Sequence, residues 1–339
     1  LRRMKQIGAL LLIILLMGLA GCSAGSGPAA EGKGEHPGAE GDTGSAAGFP
    51  KHPITYSIPF DPGGQSDLEA RRQQPHLERI LHTSVVITYK IGGGGAVGWS
   101  ELAGKKPDGY FMAGINVPHI ILQPLLQKDA GYQTEQLEPV AIFQSTPVGL
   151  AVRKDSSIQT LEDLIRLAKD KPGTLTAAGV GTYTGQHMTH LLFEKKTGIT
   201  IQYIPFTGAA ATIQSFLGGN TDLLWGNSND LVSYKDEFRL IAIGSSERFT
   251  ALPDTPTFVE QDVELTAGID RGVAVPQGTP KEVIQVLEMA FLEIAADPDV
   301  IRQMTEEGFE PKAMGAAESK AYIEQLRAEY EPLVAELQP

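Results

Sequence analysis

Four times in this chain a β-branched or apolar run breaks into a glycine-rich turn and resumes as a helix-like stretch: ITYSIPF into DPGGQS, SVVITYK into IGGGGAVG, LTAAGV into GTYTG, and IQYIPF into TGAAA. Glycine lets the backbone turn tightly at a strand end, and the helix that follows leaves its first amides without intrahelical partners. The repeated unit therefore constrains the chain to an α/β architecture and provides several places suited to an anion. YFMAGINV, VGLAVRK, TDLLWG, LIAIG and GVAVP read as further strands, so mostly parallel sheets are expected. Residues 161–168 read as a helix: Thr160 is the cap, Leu161, Leu164 and Ile165 share a face, and Glu162 and Asp163 complement the dipole. From about residue 281 the tail reads as nearly all helix.

The start of the chain has a different character. Arg2, Arg3 and Lys5 precede an apolar run over 7–19 that closes on Leu19-Ala20-Gly21-Cys22, the layout of an exported precursor. The run is short for a membrane span, which needs about 20 apolar residues. Residues 1–22 are thus expected to be a signal peptide whose end resembles the lipobox of bacterial lipoproteins, with Cys22 lipidated. Because Cys22 is the single cysteine, an intramolecular disulfide and a multi-thiolate zinc site are excluded. Residues 23–49, rich in Gly, Ala, Ser, Glu and Pro, have no apolar periodicity and read as a disordered tether.

Loss of Arg2, Arg3 and Lys5 takes the basic count from 28 to 25 against 41 acids, leaving the mature chain at about −16. Nucleic acid is not an expected partner, since phosphate neutralisation requires clustered Lys and Arg. No G-x-S-x-G, H-E-x-x-H or Walker lysine is present, so no catalytic site is marked. His187 and His190, spaced i,i+3, have no local third ligand and read as packing residues; no metal or cofactor is expected.

The glycine turns carry the binding expectation. Gly93, Gly95 and Gly98 fit G-x-G-x-x-G, yet the strand that should end in a ribose-binding acid offers Asn116, which argues against a dinucleotide. Gly63, Gly64, Gln65 and Ser66 form the first anion-directed turn, with Asp67 read as a cap on its own helix. Gly181, Thr182, Thr184 and Gly185 combine amides and hydroxyls suited to a carboxylate, and Thr207, Gly208 and Ala209 repeat the theme. Trp225 and Asn227, at a strand end, are candidates for a pocket floor, although a Trp is more often core.

Five ordered segments resemble one family: FPKHPITYSIPFDPGGQSDLEAR, IGGGGAVGWSELAGKKPDGY, HMTHLLFEKKTGITIQYIPFTGAAATIQSFLGGNTD, LPDTPTFVE and GVAVPQGTPKEVI. They are similar to the substrate-binding proteins of tripartite tricarboxylate transporters. The resemblance implies an α/β, two-lobed, periplasmic-binding-protein-like (type II) fold with the ligand in the interlobe cleft. Residues 50–149 plus 270–339 would form lobe 1 and 150–269 lobe 2, with crossings at 147–152 and 267–276. It further implies an extracytoplasmic, lipid-anchored protein that captures a small organic carboxylate (a di- or tricarboxylate, or an amino or aromatic acid) and delivers it to membrane permease subunits, with no chemistry on the ligand. The glycine loops would grip the carboxylate through amides and hydroxyls, since they contain no Lys or Arg.

Two positions depart from the family pattern. Tyr183 stands where relatives often have glycine, and Asp270 with Arg271 stands where they commonly have Trp. Asp270 is accordingly a candidate for a ligand amine, against the alternative that it pairs with Arg271 or a nearby lysine. Two other readings of the whole chain stay open: a carboxylate-sensing module feeding a sensor kinase, and a hydrolase-like enzyme on a similar two-lobed fold.

Overall fold

The β-branched and apolar runs form ten strands in the computed structural model, which describes residues 48–337. They are β1 (Ile54–Ile58), β2 (Val85–Tyr89), β3 (Phe111–Val117), β4 (Leu137–Arg153), β5 (Thr176–Val180), β6 (Gln202–Phe206), β7 (Leu223–Asn227), β8 (Phe238–Ile243), β9 (Gly268–Pro276) and β10 (Glu310–Met314). The helices are α1 (Gln65–Leu81), α2 (Ala96–Ala103), α3 (His119–Leu126), α4 (Leu161–Asp170), α5 (Gly185–Thr197), α6 (Ala209–Leu217), α7 (Ser228–Ser233), α8 (Lys281–Ala295), α9 (Pro298–Glu306) and α10 (Ala316–Leu337). The expected signal peptide, the Cys22 lipidation site and the tether up to residue 47 lie outside the described residues. No described helix is long and apolar enough to cross a membrane.

Each of the four glycine turns joins a strand to a helix, and the strands lie in a fixed order, β2-β1-β3-β9-β4-β7-β5-β6, with β8 and β10 also on β4. The long strand β4 divides this order into two lobes. Its first part, to Pro147, pairs with β9, and its last part, from Val148, pairs with β7 and β8. The expectation of mostly parallel sheets is corrected here. Pairs within the βα units are parallel (β1 with β2 and β3, β5 with β6 and β7), but every pair made by β4 or β9 is antiparallel. These two strands are the crossings, and they run against the βα strands they join.

Each lobe has its own apolar core. Ile54, Tyr56, Leu77, Phe143, Val273 and Phe291 pack in one, and Val148, Leu164, Phe193, Trp225 and Phe258 in the other. The helical tail returns to the first lobe: α8 lies on β4 and α1, and Ile323 of α10 joins the cluster around Trp99. Its one interruption, β10, carries no strand signal in the sequence, because Glu310-Pro311-Lys312 has no β-branched pattern and takes its conformation from pairing with β4.

Candidate functional site

The turn after β1 bends through Gly63, whose φ of +80° lies in the left-handed region that favours glycine. Its amide donates to Asp67 Oδ2 at 2.8 Å, so Asp67 fastens the turn to the first turn of α1. The adjoining lobe-1 loop is more constrained, since Gly92, Gly93, Gly94 and Gly95 all have positive φ. Across from it, Gly181 (φ +67°) and Tyr183 (φ +56°) shape the lobe-2 loop. A left-handed tyrosine costs about 1–2 kcal/mol, and here the Tyr183 amide donates to His187 Nδ1 at 3.1 Å.

These loops meet. Gln123 Nε2 donates to the carbonyls of Thr182 (2.8 Å) and Tyr183 (3.2 Å), and a Cβ on Gly181 would lie 3.1 Å from Gly94 Cα. On the other side, a Cβ on Gly208 would lie 2.8 Å from Asp61 Oδ2. Between the two junctions is an inner cavity of about 40 Å³. Beyond Phe60, which borders both spaces, lies an outer cleft of about 450 Å³ formed by Gly92–Gly95, Gly181, Thr182, Tyr183 and Thr207.

A chain of polar side chains crosses the inner cavity. Gln65, at the start of α1, accepts from Arg271 Nη2 and, at 2.6 Å, from Asn227 Nδ2; its own amide donates to Asp230 Oδ2 at 2.5 Å. Gln186 donates to Asn227 Oδ1 at 3.2 Å and accepts from the Val180 amide at 2.6 Å. Arg271 Nη1 donates to Thr146 Oγ1 at 2.7 Å, while Arg271 Nε, also buried, has no hydrogen-bond partner among the described residues.

Burial sets the charges here. It pushes the Asp230 carboxyl up to about 6 against the pull of Arg271, and the Glu69 carboxyl up to about 7 against Arg72 and Arg271. It lowers Arg271 to about 10, which leaves the guanidinium charged at neutral pH. Burial, reinforced by the Arg271 charge, brings His119 down to about 3, so its ring is neutral there. The cavity thus presents one fixed cation, Arg271, among neutral amides and hydroxyls, with the Asp61 side chain also in its lining. Arg271 enters from β9 and so adds to the cavity a cation that the glycine loops themselves do not carry.

Of the sequence candidates, Gly64, Gln65, Ser66, Asn116, Gly208, Ala209 and Asn227 line the inner cavity, and Gly181, Thr182 and Thr207 line the outer cleft. Five others line neither. Gly63 is committed to its turn. Thr184 is fully buried, donating to the Val180 carbonyl at 2.7 Å and capping α5 by accepting from the His187 amide. Gly185 is packed so tightly that a Cβ would lie 2.9 Å from Ile269. Trp225 is core, its indole donating to His190 Nδ1 at 3.1 Å.

Asp270 is the most instructive of these corrections. Successive side chains on a strand point to opposite faces, so Arg271 in the cavity puts Asp270 on the reverse of β9. There it meets Lys312 Nζ at 2.6 Å and Tyr322 Oη at 2.5 Å. Its partner is a lysine, but one 42 positions away in sequence. The cavity residues that the sequence did not single out as candidates include Phe60, Asp61, His119, Gln186 and Arg271. Phe60 and Asp61 stand inside the first glycine motif, and strand alternation is the signal that separates Arg271 from Asp270.

Among the described residues no group of three or more His, Cys, Asp or Glu side chains is arranged to hold a metal. The family model described as "Tripartite tricarboxylate transporter family receptor" matches residues 69–338. Among curated proteins, a UPF0065 protein of Bordetella pertussis is 29% identical, the match covering 78% of this chain and 82% of the relative. Protein BugT of the same organism is 27% identical, covering 82% and 87%. Among solved structures, the periplasmic binding protein BugD is similar at 26% identity and a TM-score of 0.77, covering 85% of this chain and 97% of its own. The R. palustris protein Rpa4515 with adipate is similar at 25% identity and a TM-score of 0.80, covering 85% and 97%. With its two lobes and the match over most of its length, the chain belongs to the tripartite tricarboxylate transporter receptor family.

Proposed function

We propose that this chain is an extracytoplasmic solute-binding protein, anchored through lipidated Cys22, that captures a small organic carboxylate between its lobes and delivers it to transporter permease subunits. No chemistry on the ligand is involved. The observation that carries the reading is the buried Arg271 guanidinium in the interlobe cavity, with Nε lacking a partner and neutral amides around it. A carboxylate there would gain charge-assisted hydrogen bonds in a site with little water. The structure of Rpa4515 with adipate supports the same ligand class by analogy.

Residues 50–149 with 270–339 form lobe 1 in this reading and 150–269 lobe 2. Gly64, Gln65, Ser66, Asn116, Gly208, Ala209 and Asn227 surround the ligand head, and Gly181, Thr182 and Thr207 flank its body. The inner cavity has space for roughly three waters, at ~10–15 Å³ each, so a ligand of more than a few atoms extends past Phe60 into the outer cleft. Ligand contacts to both lobes shift the equilibrium from open to closed.

A thermal-shift screen of the full chain in detergent against mono-, di- and tricarboxylates tests the reading. A ligand that binds only the folded state raises the melting temperature. The expected result is a carboxylate hit whose affinity falls roughly 10- to 100-fold in Arg271→Gln, the loss of a hydrogen bond to a charged group. No carboxylate hit from ligand-free protein would refute it.

A further inference from the structure

We infer that Asp61 reads a cationic amine on the ligand, so that the cleft selects amino acids over plain carboxylates of the same skeleton. The inference rests on the carboxylate reading above and narrows it. Asp61 and Arg271 line the same inner cavity from different elements, the first glycine turn and β9. They are not ion-paired with each other, being more than the 4.0 Å of a salt bridge apart. The Asp61 carboxylate makes no hydrogen bond or ion pair with any described residue. Arg271, for its part, has a buried Nε without a partner. One small cavity therefore presents a carboxylate and a guanidinium, each with unused bonding capacity.

The remaining lining sharpens the choice of ligand. Gln65, Ser66, Asn116, Gln186 and Asn227 are neutral, and burial keeps His119 neutral at physiological pH. Among the described residues no second cation lines the cavity to answer Asp61. A ligand bearing only negative charge would bring like charge toward Asp61, which is unfavourable. A ligand whose ammonium and carboxylate share a carbon carries both charges into one small cavity and offers Asp61 and Arg271 each a partner of opposite sign. Asp61 also stands at the lobe junction, with Oδ2 2.8 Å from where a Cβ on Gly208 would be. A bound ammonium there would be enclosed by both lobes, so the amine would contribute to closure as well as to selectivity.

Matched ligands test this by calorimetry on the full chain in detergent: propionate with alanine, succinate with malate and aspartate, glutarate with glutamate, and adipate with 2-aminoadipate. In the best-bound skeleton the amine-bearing member is expected to bind roughly 10- to 100-fold tighter, as for a hydrogen bond between charged groups. In Asp61→Asn that preference falls to within about threefold, while the amine-free member binds as well as before or better. Asp61→Ala serves if the asparagine variant melts abnormally. Equal binding of amine and amine-free members, or an equal gain from the malate hydroxyl, overturns the amine assignment and leaves the carboxylate reading standing. Binding of no carboxylate of either kind overturns both.

Discussion

Replacing Gly94 by alanine isolates lobe closure from ligand contact. Gly94 lines the outer cleft, and at φ +65° an added Cβ would lie 2.6 Å from Gln123 Nε2 and 2.9 Å from the Thr182 carbonyl oxygen. The first is the amide that donates across the cleft to Thr182 and Tyr183, and the second is lobe-2 backbone, which cannot swing away. Displacing the Gln123 bond costs about 0.5–1.5 kcal/mol and the overlap about 1–3 kcal/mol, both incurred when the lobes meet. The left-handed φ adds about 1–2 kcal/mol of strain in open and closed states alike. The strain thus appears in the melting temperature and the clash in the closure equilibrium. A closure penalty of about 2 kcal/mol weakens ligand binding roughly thirtyfold. Gly198→Ala is the control: it has the same kind of φ, +67°, ends α5, and would meet nothing within 4 Å. Calorimetry gives the affinity, and small-angle scattering with and without ligand gives the compaction. If Gly94→Ala binds within twofold of wild type and compacts normally while melting no lower than Gly198→Ala, the loop contact does not gate closure and the reasoning fails.

Asp270→Asn, by contrast, is expected to act on stability alone. It weakens the Lys312 and Tyr322 contacts on the reverse of β9, costing about 1–3 kcal/mol in denaturant titrations, with ligand affinity unchanged. His119→Gln is expected to flatten the acid limb of stability. The folded-state pKa of His119 is depressed to about 3 from 6.5, so below pH 6.5 the unfolded chain takes a proton that the folded chain refuses. Stability therefore falls as pH drops from 6.5 toward 3, by roughly 3 kcal/mol at pH 4.5. Because the elevated Glu69 and Asp230 carboxyls act in the opposite sense over this range, the readout is wild type minus variant in urea melts at pH 7 and pH 4.5.

The local order of this protein is largely legible because glycine and β-branched residues dictate backbone shape within a few positions. All four strand–turn–helix units stand where the sequence pattern puts them, and the cap at Thr160 accepts from the Asp163 amide as its pattern requires. What the sequence hides depends on neighbours distant along the chain. The first part of β4, LEPVAIFQST, does not read as strand, since its proline and polar residues are accommodated only by pairing with β9 and β10. Thr184 reads as a ligand hydroxyl, but a cap and a donor to the Val180 carbonyl use the same side chain. The exchange of Asp270 for Arg271 is a matter of register: a one-residue difference on a strand is a change of face.

The register of β9 has a consequence that can be measured. It places Arg271 against Asp230, reached through Gln65 from α7, and near Glu69 on α1, while Asp270 behind it is engaged by Lys312. Asp61 lines the same cavity but is not within ion-pair distance. Two of the carboxyls that act on Arg271, Asp230 and Glu69, are thus held up to about 6 and about 7. Above pH 7.5 both are ionised and compete with a ligand for the guanidinium. As pH falls to 5.5 both take up protons, while an ordinary ligand carboxylate, with a pKa near ~4, keeps its charge. Carboxylate affinity should therefore rise between pH 7.5 and 5.5, by up to roughly tenfold for one pKa unit of coupling, with net proton uptake on binding. Calorimetry in buffers of different ionisation enthalpy measures that uptake directly. Asp230→Asn should remove most of the pH dependence and hold the affinity near its acid value at both pH values. Proton release on binding, or an Asp230→Asn variant that retains the wild-type slope, would mean that Arg271 is not the charge the ligand meets.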